Sequence, residues 1–189
     1  MSMQHSVLER YSAGAKQRES ALCCPVDYDR SLLEMLPQEI IDRDYGCGDP
    51  SRYVKEGDTV LDLGSGGGKI CYMAAQLVGE AGRVIGIDMN DDMLALARSH
   101  QADMAERIGS DRVAFLKGKI EDLALDLCAT DHWLSEHPIT THTGVAALTR
   151  FQHQQKSERP LIADNTIDLI ISNCVLNLVD ADDKPAMFN

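Results

Sequence analysis

Apolar residues recur along this chain in two different periods. Short, nearly continuous apolar runs occupy 59–63, 84–87, 113–117 and 167–172. Runs of this length, rich in Val, Ile and Leu, predict buried strands. After the first run, Ile70, Met73, Ala74, Leu77 and Val78 follow helical spacing, and after the second so do Met93, Leu94, Leu96, Ala97 and Met104. They predict helices over 70–78 and 91–108, with Asn90 placed to cap the second. Gly79 and Gly82 stand where the first helix should end and turn. Strand and helix therefore alternate, which predicts an α/β fold built on a parallel sheet with right-handed crossovers.

The pattern is weaker upstream. Residues 3–20 predict an amphipathic helix, and about 30–41 a second, with Pro37 able to break or start it. Tyr45-Gly46-Cys47-Gly48-Asp49-Pro50 has the glycines and proline of a loop. Residues 1–50 are expected to form an N-terminal helical segment on the substrate side, and 51–189 the α/β domain. Residues 124–160 break the alternation. Leu123, Leu125, Leu127 and Trp133 predict one helix there and 145–151 another, a helical insertion before the last strand. His132, His137, His142 and His153 match no zinc-site spacing and are expected on solvated surface.

At 189 residues, with 44% hydrophobic and 25% charged, the chain has the makings of one globular unit with a real core. Thirty acidic against 18 basic residues give a net charge of −12. That balance repels phosphate backbones and argues against a nucleic-acid partner. No apolar run approaches the roughly 20 residues that cross a bilayer, so no membrane partner is expected. The polar start of the chain has neither a signal peptide's apolar core nor a transit peptide's basic bias. A cytoplasmic location and six free thiols are expected.

The glycines at the end of the first strand bring in chemistry. Thr59–Ile70 reads TVLDLGSGGGKI, with Asp62, Gly64, Gly66 and Gly68 at alternate positions. A phosphate-binding P-loop needs glycine at position 63 and a hydroxyl at position 70, where Leu63 and Ile70 stand. A dinucleotide fingerprint needs its third glycine three residues after the second, and position 69 is Lys. The D-x-G-x-G-x-G spacing that remains resembles the first motif of class I S-adenosylmethionine-dependent methyltransferases. Glycines let the backbone approach an amino-acid moiety closely. Asp62 suits the ammonium end of such a cofactor, Asp88 the ribose hydroxyls, Met89 the adenine face, and Glu121 the adenine edge.

Four cysteines stand out. Cys47 lies in the glycine-flanked loop, and Cys174 follows the last strand, where open α/β sheets place ligands. Cys23 and Cys24 join them if the N-terminal segment folds over the sheet. Cys71 is expected in the core, and Cys128 carries no signal. Thiolates beside a methyl donor point to a soft electrophilic centre. With YGCG at 45–48, VLDLGSGGGKICY at 60–72, FLKGKIEDL at 115–123 and DLIISNCVLNLV at 168–179, the chain resembles arsenite S-adenosylmethionine methyltransferases. The resemblance implies a Rossmann-like class I methyltransferase sheet and S-adenosylmethionine as cofactor. It implies trivalent arsenic held by Cys47 and Cys174, with Cys23 and Cys24 handling the metalloid or its thiol adducts, and a thiol such as glutathione as partner. Ser65, Ile120 and Asn173, inside the matching stretches, complete the expected cofactor contacts.

Three features depart from the family pattern. Ile70 follows Lys69 where a polar or acidic residue is usual. The insertion at 124–160 is additional. The family's third arsenic-binding cysteine and the last sheet strands lie downstream of the matching SNCV stretch, and the chain ends at Asn189. The expectation is thus a truncated sheet holding only the first strands, able to associate through an exposed edge. Two alternatives stay open: a methyltransferase for a small organic molecule, and a non-catalytic fragment that binds cofactor or metalloid.

Overall fold

The computed structural model describes residues 11–16, 27–179 and 184. Strands β1 (Thr59–Leu63), β2 (Arg83–Asp88), β3 (Val113–Lys117) and β4 (Leu169–Ser172) form one parallel sheet in the order β3-β2-β1-β4. From β1 the chain winds outward through β2 to β3, then crosses back to place β4 on the other side of β1. The order reverses between β1 and β4, and such a reversal opens a crevice at the carboxyl ends of the strands.

The two-residue period of the strands divides their side chains between two cores. Val60, Val84, Val113, Phe115 and Ile171 face one side. There they meet α3 (Lys69–Leu77), α4 (Asp91–Ser99) and α5 (Gln101–Ile108), backed by α1 (Arg30–Glu34) and α2 (Gln38–Asp42). Residues 69–75 of α3 are all buried. Burial of each large apolar side chain contributes about 1.5–3 kcal/mol. Leu61, Leu63 and Ile87 face the other side and are covered by Ile120, Leu123, Leu161, Ile162 and Ile167. The parallel α/β sheet thus has the expected architecture.

Several boundaries differ from those expected. The 30–41 helix is two helices, because Pro37 takes the N-cap of α2 with ψ 137° and ends α1 before it. The 91–108 helix also divides, at His100, whose φ of −102° and ψ of 0° lie at the edge of the helical region. The Ser99 hydroxyl donates to the Leu96 carbonyl, and the His100 ring turns out to Glu39 at 2.8 Å, which favours the break. β4 was expected to be covered on both faces, yet Ile170 is 56% exposed. Leu161, Ile162 and Ile167 pack on β1 and β2, while β4 is one of the two edge strands among the described residues. Residues 11–16 are helical; the rest of the 3–20 prediction, like Cys23 and Cys24, lies outside the described residues.

The insertion folds as two helices, α6 (Leu127–Glu136) and α7 (His142–Glu158). Its two ends meet where the Leu161 and Ile162 amides donate to the Ala124 and Leu123 carbonyls, both at 3.0 Å. Trp133 stacks on His137 and Phe151 and holds the two helices together. Among the described residues, no three His, Cys, Asp or Glu side chains converge as metal ligands would. No helix among them is long and apolar enough to cross a membrane.

Candidate functional site

The glycine stretch turns the chain sharply at the carboxyl end of β1. Gly64 and Gly66 have φ of +77° and +52°, a region that costs residues with a Cβ. The Gly64 and Ser65 amides donate to the Ile87 carbonyl at 2.8 and 2.9 Å, locking the turn to β2. Beside it opens a cleft of about 1090 Å³, its open mouth included. The cleft is lined by Asp62, Gly64, Ser65, Gly66, Asp88, Met89, Ile120, Glu121 and Asn173 among others. Gly68 does not line it. Gly68 begins α3 in the left-handed region, and a Cβ there would lie 2.7 Å from the Phe115 ring.

Asp88 is fixed by two backbone donors, Gly66 N–H at 2.9 Å and Asn90 N–H at 2.8 Å. Burial nevertheless pushes its carboxyl above the ordinary range. Asp62 is 2% exposed. Burial is the main cause of its rise to about 7, and the charges of Asp44 and Asp88 push the same way. The Cys71 thiol, 3.4 Å from Asp62, opposes that rise. Cys71 is fully buried, as expected of a core residue. Ser65 Oγ is buried without a hydrogen-bond partner at the wall of the cleft. An acidic wall with an unsatisfied hydroxyl favours a ligand that is cationic or rich in polar atoms.

The N-terminal segment supplies a wall of the cleft, through residues that the sequence did not single out for that place. Tyr11, Arg43, Asp44 and Tyr45 line the cleft. Tyr11 meets Tyr45 edge-on at 6.2 Å, and the Tyr45 hydroxyl donates to the Gly14 carbonyl at 3.0 Å. Lys69, only 4% exposed, pairs with the Asp44 carboxylate and lies 3.4 Å from the centre of the Tyr28 ring. The signal for Lys69 was its charge at the start of a helix that is otherwise buried. Nothing local marked Asp44 or Tyr11.

Cys47 and Cys174 are brought together although 127 residues separate them. Their Cα atoms are 6.1 Å apart and the structure joins them as a disulfide. The expectation of six free thiols is corrected accordingly: the crossover to β4 delivers Cys174 to the loop carrying Cys47, within disulfide reach. The pair adjoins the cleft, because Gly46, Asn173 and Val175 line it. Cys174 has φ of +62°, a strained position for a residue with a side chain and a common feature of functional turns.

A family model described as a methyltransferase domain matches residues 54–156. The chain belongs to the methyltransferase domain family. Within that domain the match spans β1 to β3, the glycine turn, the acid at the end of β2, and nearly all of the insertion. The arsenite methyltransferase of Aquipseudomonas alcaligenes is 35% identical over 183 residues, 92% of this chain and 43% of the relative. Human arsenite methyltransferase is 32% identical over 152 residues, 79% of this chain and 32% of its own length. Among solved structures, an arsenic(III) S-adenosylmethionine methyltransferase from Chlamydomonas reinhardtii superposes with a TM-score of 0.60 at 31% identity. That alignment covers 86% of this chain and 44% of the other. The methyltransferase-domain chain thus spans less than half the length of these relatives.

Proposed function

We propose that this chain carries the cofactor site and two metalloid ligands of an S-adenosylmethionine-dependent arsenite methyltransferase. The observation behind this reading is the meeting of Cys47 and Cys174 beside the cleft of the glycine turn. The similarity to arsenite methyltransferases over most of the chain supports it.

The residues present fit S-adenosylmethionine. Gly66 leaves the wall open where a Cβ would meet no atom within 4 Å. Ser65 Oγ offers an uncommitted donor and acceptor. Asp62 and Asp88 supply carboxylates for an ammonium and for ribose hydroxyls, while Met89 and Ile120 supply apolar wall. Glu121, whose side chain is 14% exposed, is the candidate for the adenine edge. When bound, the cofactor would supply an electrophilic methyl group on a sulfonium.

In the reduced protein, the thiols of Cys47 and Cys174 each displace one hydroxyl of arsenous acid as water, leaving arsenic held by two sulfurs. Thiolates are the right ligands for this soft centre, and each is deprotonated as it binds. Arsenic bound in this way keeps a lone pair, which Cys47 and Cys174 would present to the methyl group that the cofactor would supply. The nucleophilic arsenic carries no proton, so no general base is needed. The contribution of Cys47 and Cys174 is to align arsenic with the methyl, and alignment can supply about 7–11 kcal/mol in favourable cases. A small thiol such as glutathione fits the remaining arsenic position and keeps the pair reduced. A cytoplasmic setting suits a site that depends on reduced thiols.

The test is methyl transfer from labelled S-adenosylmethionine, with and without arsenite and glutathione, alongside titration of the reduced chain with a trivalent phenylarsenical. One arsenical bound per chain, lost in both Cys47→Ser and Cys174→Ser, supports the reading. Unchanged arsenical binding in both variants, or transfer to an organic acceptor that both variants retain, would overturn it.

A further inference from the structure

Beside the cysteine pair, the Asn173 side chain holds the loop that carries Cys47 to the end of β4. Asn173 Oδ1 accepts from the Cys47 N–H at 3.0 Å, and Asn173 Nδ2 donates to the Gly48 carbonyl at 2.8 Å. Both polar ends of the amide are therefore committed to backbone on either side of the Cys47 side chain. Asn173 itself immediately precedes Cys174. One residue thus spans the gap between the two strands of chain that present the sulfurs. Gly46 completes the fit: a Cβ there would lie 2.2 Å from Asn173 Nδ2 and 3.3 Å from the Tyr28 hydroxyl. On its other side the loop is fixed by Asp44, which accepts from the Gly46 N–H at 3.2 Å and pairs with buried Lys69.

We infer that Asn173 is a positioning residue that sets the separation and mutual orientation of the Cys47 and Cys174 sulfurs. Asn173 also lines the cleft, so this role stands beside the cofactor contact that the resemblance implies for it. A backbone amide and the carbonyl of the next residue in a glycine-flanked loop fix that loop well when one side chain bridges them. Without the bridge, Cys47 would sample many positions relative to Cys174, and the entropic cost of bringing the sulfurs together would rise. The inference concerns the geometry of the thiol pair. It deepens the proposed arsenic site, yet it can be read out without arsenic.

The experiment equilibrates the chain in buffers of reduced and oxidised glutathione. Two protein thiols are oxidised to the Cys47–Cys174 disulfide while one oxidised glutathione is reduced to two thiols. The equilibrium constant gives the effective concentration of one protein thiol at the other. Asn173→Ala should lower it roughly ten- to a hundredfold, the loss expected for two hydrogen bonds. Asn173→Asp keeps the acceptor for the Cys47 N–H, loses the donor to Gly48, and should fall between. Gly46→Ala should also lower the value, because the added methyl displaces the Asn173 amide. In the Asn173→Ala background that methyl has room, so the same Gly46→Ala change should cost little, and the non-additivity identifies the contact. If Asn173→Ala does not fold, Asn173→Asp and Gly46→Ala carry the test.

An unchanged effective concentration in folded Asn173→Ala, or strictly additive effects of Asn173→Ala and Gly46→Ala, overturns the inference. So does a loss confined to S-adenosylmethionine binding, which would leave Asn173 the role of a cofactor contact alone. A wild-type chain that forms the pair strongly but binds no trivalent arsenical would refute the arsenic reading and leave the role of Asn173 standing.

Discussion

Gly64 and Gly66 share a left-handed backbone and one motif, but the structure gives them different tasks that can be separated. An alanine methyl at position 64 would meet three atoms of Val175 at 2.6, 2.7 and 2.9 Å. Val175 follows Cys174, so relief of this clash moves the segment after β4. Left-handed backbone costs a non-glycine residue about 1–2 kcal/mol. Overpacking of this kind adds about 1–3 kcal/mol. Alanine returns about 0.4–1 kcal/mol by stiffening the unfolded chain. Gly64→Ala should therefore destabilise by about 2–4 kcal/mol, a fall of roughly 4–16 °C in Tm for a chain of this size. At Gly66 an added methyl meets nothing within 4 Å. Only the backbone term applies, so Gly66→Ala should cost about 1 kcal/mol or less. Yet Gly66 lines the cleft, and its variant should bind S-adenosylmethionine or its demethylated product at least about tenfold more weakly, about 1.4 kcal/mol. Urea unfolding of the reduced protein, paired with calorimetric titration, measures both quantities. Gly64→Ala melting like the parent, or Gly66→Ala binding cofactor like the parent, would refute the division of labour.

Asp62 makes stability depend on pH. Its carboxyl rises from the ordinary 3.8 to about 7 in the folded protein, so between those values the folded state holds the proton more tightly. The associated stability is fully present below about pH 4 and is lost as pH rises to about 7, a few kcal/mol at most, and Asp62→Asn should flatten the slope in urea unfolding at pH 5 and 8. Tyr72 is fully buried, with its hydroxyl donating to the Ala97 carbonyl at 2.6 Å. Tyr72→Phe should cost about 1 kcal/mol in the same assay, the net worth of one hydrogen bond, because the Ala97 carbonyl keeps the His100 N–H at 3.3 Å. Lys69→Met leaves the Asp44 carboxylate without its buried cation and should cost about 3 kcal/mol, part of which Asp44→Asn should restore in the double variant. An additive double variant would show that the pair is not coupled.

The strands and the glycine turn were legible in the sequence because their signals are local. Val60, Leu61 and Leu63 are apolar on both faces since helices cover one side and residues 120–167 the other. Asp62 and Asp88 could be placed at strand ends by counting residues. The insertion was legible as helical, but its closure at Leu123 and Ala124 was not, because backbone pairing of 123–124 with 161–162 leaves no composition signal. The break at His100 was hidden for a related reason. It depends on Glu39, which reaches the His100 ring from a helix 61 positions earlier in the chain. The misjudged cover of Ile170 shows the limit of periodicity: an apolar run reports what a strand could bury, not what lies over it.

The thiol pair shows how the local and distant signals combine. Each cysteine was conspicuous in the sequence, one between glycines and one at a strand end. Their meeting depends on strand order, because only a β4 placed next to β1, on the side away from β2, brings residue 174 to the loop at 45–48. Once the order reverses there, the cleft, the strained turn at Cys174 and the Asn173 bridge all fall in the same crevice. Sulfur ligands and methyl-donor cleft are then neighbours by topology, and the remaining freedom is the few ångströms over which the Cys47 loop can move. That freedom is what the two hydrogen bonds of Asn173 remove. The reactivity of the pair should accordingly respond more to Asn173 and Gly46, which touch neither sulfur, than to substitutions in the exposed helix α7, which has no buried residue.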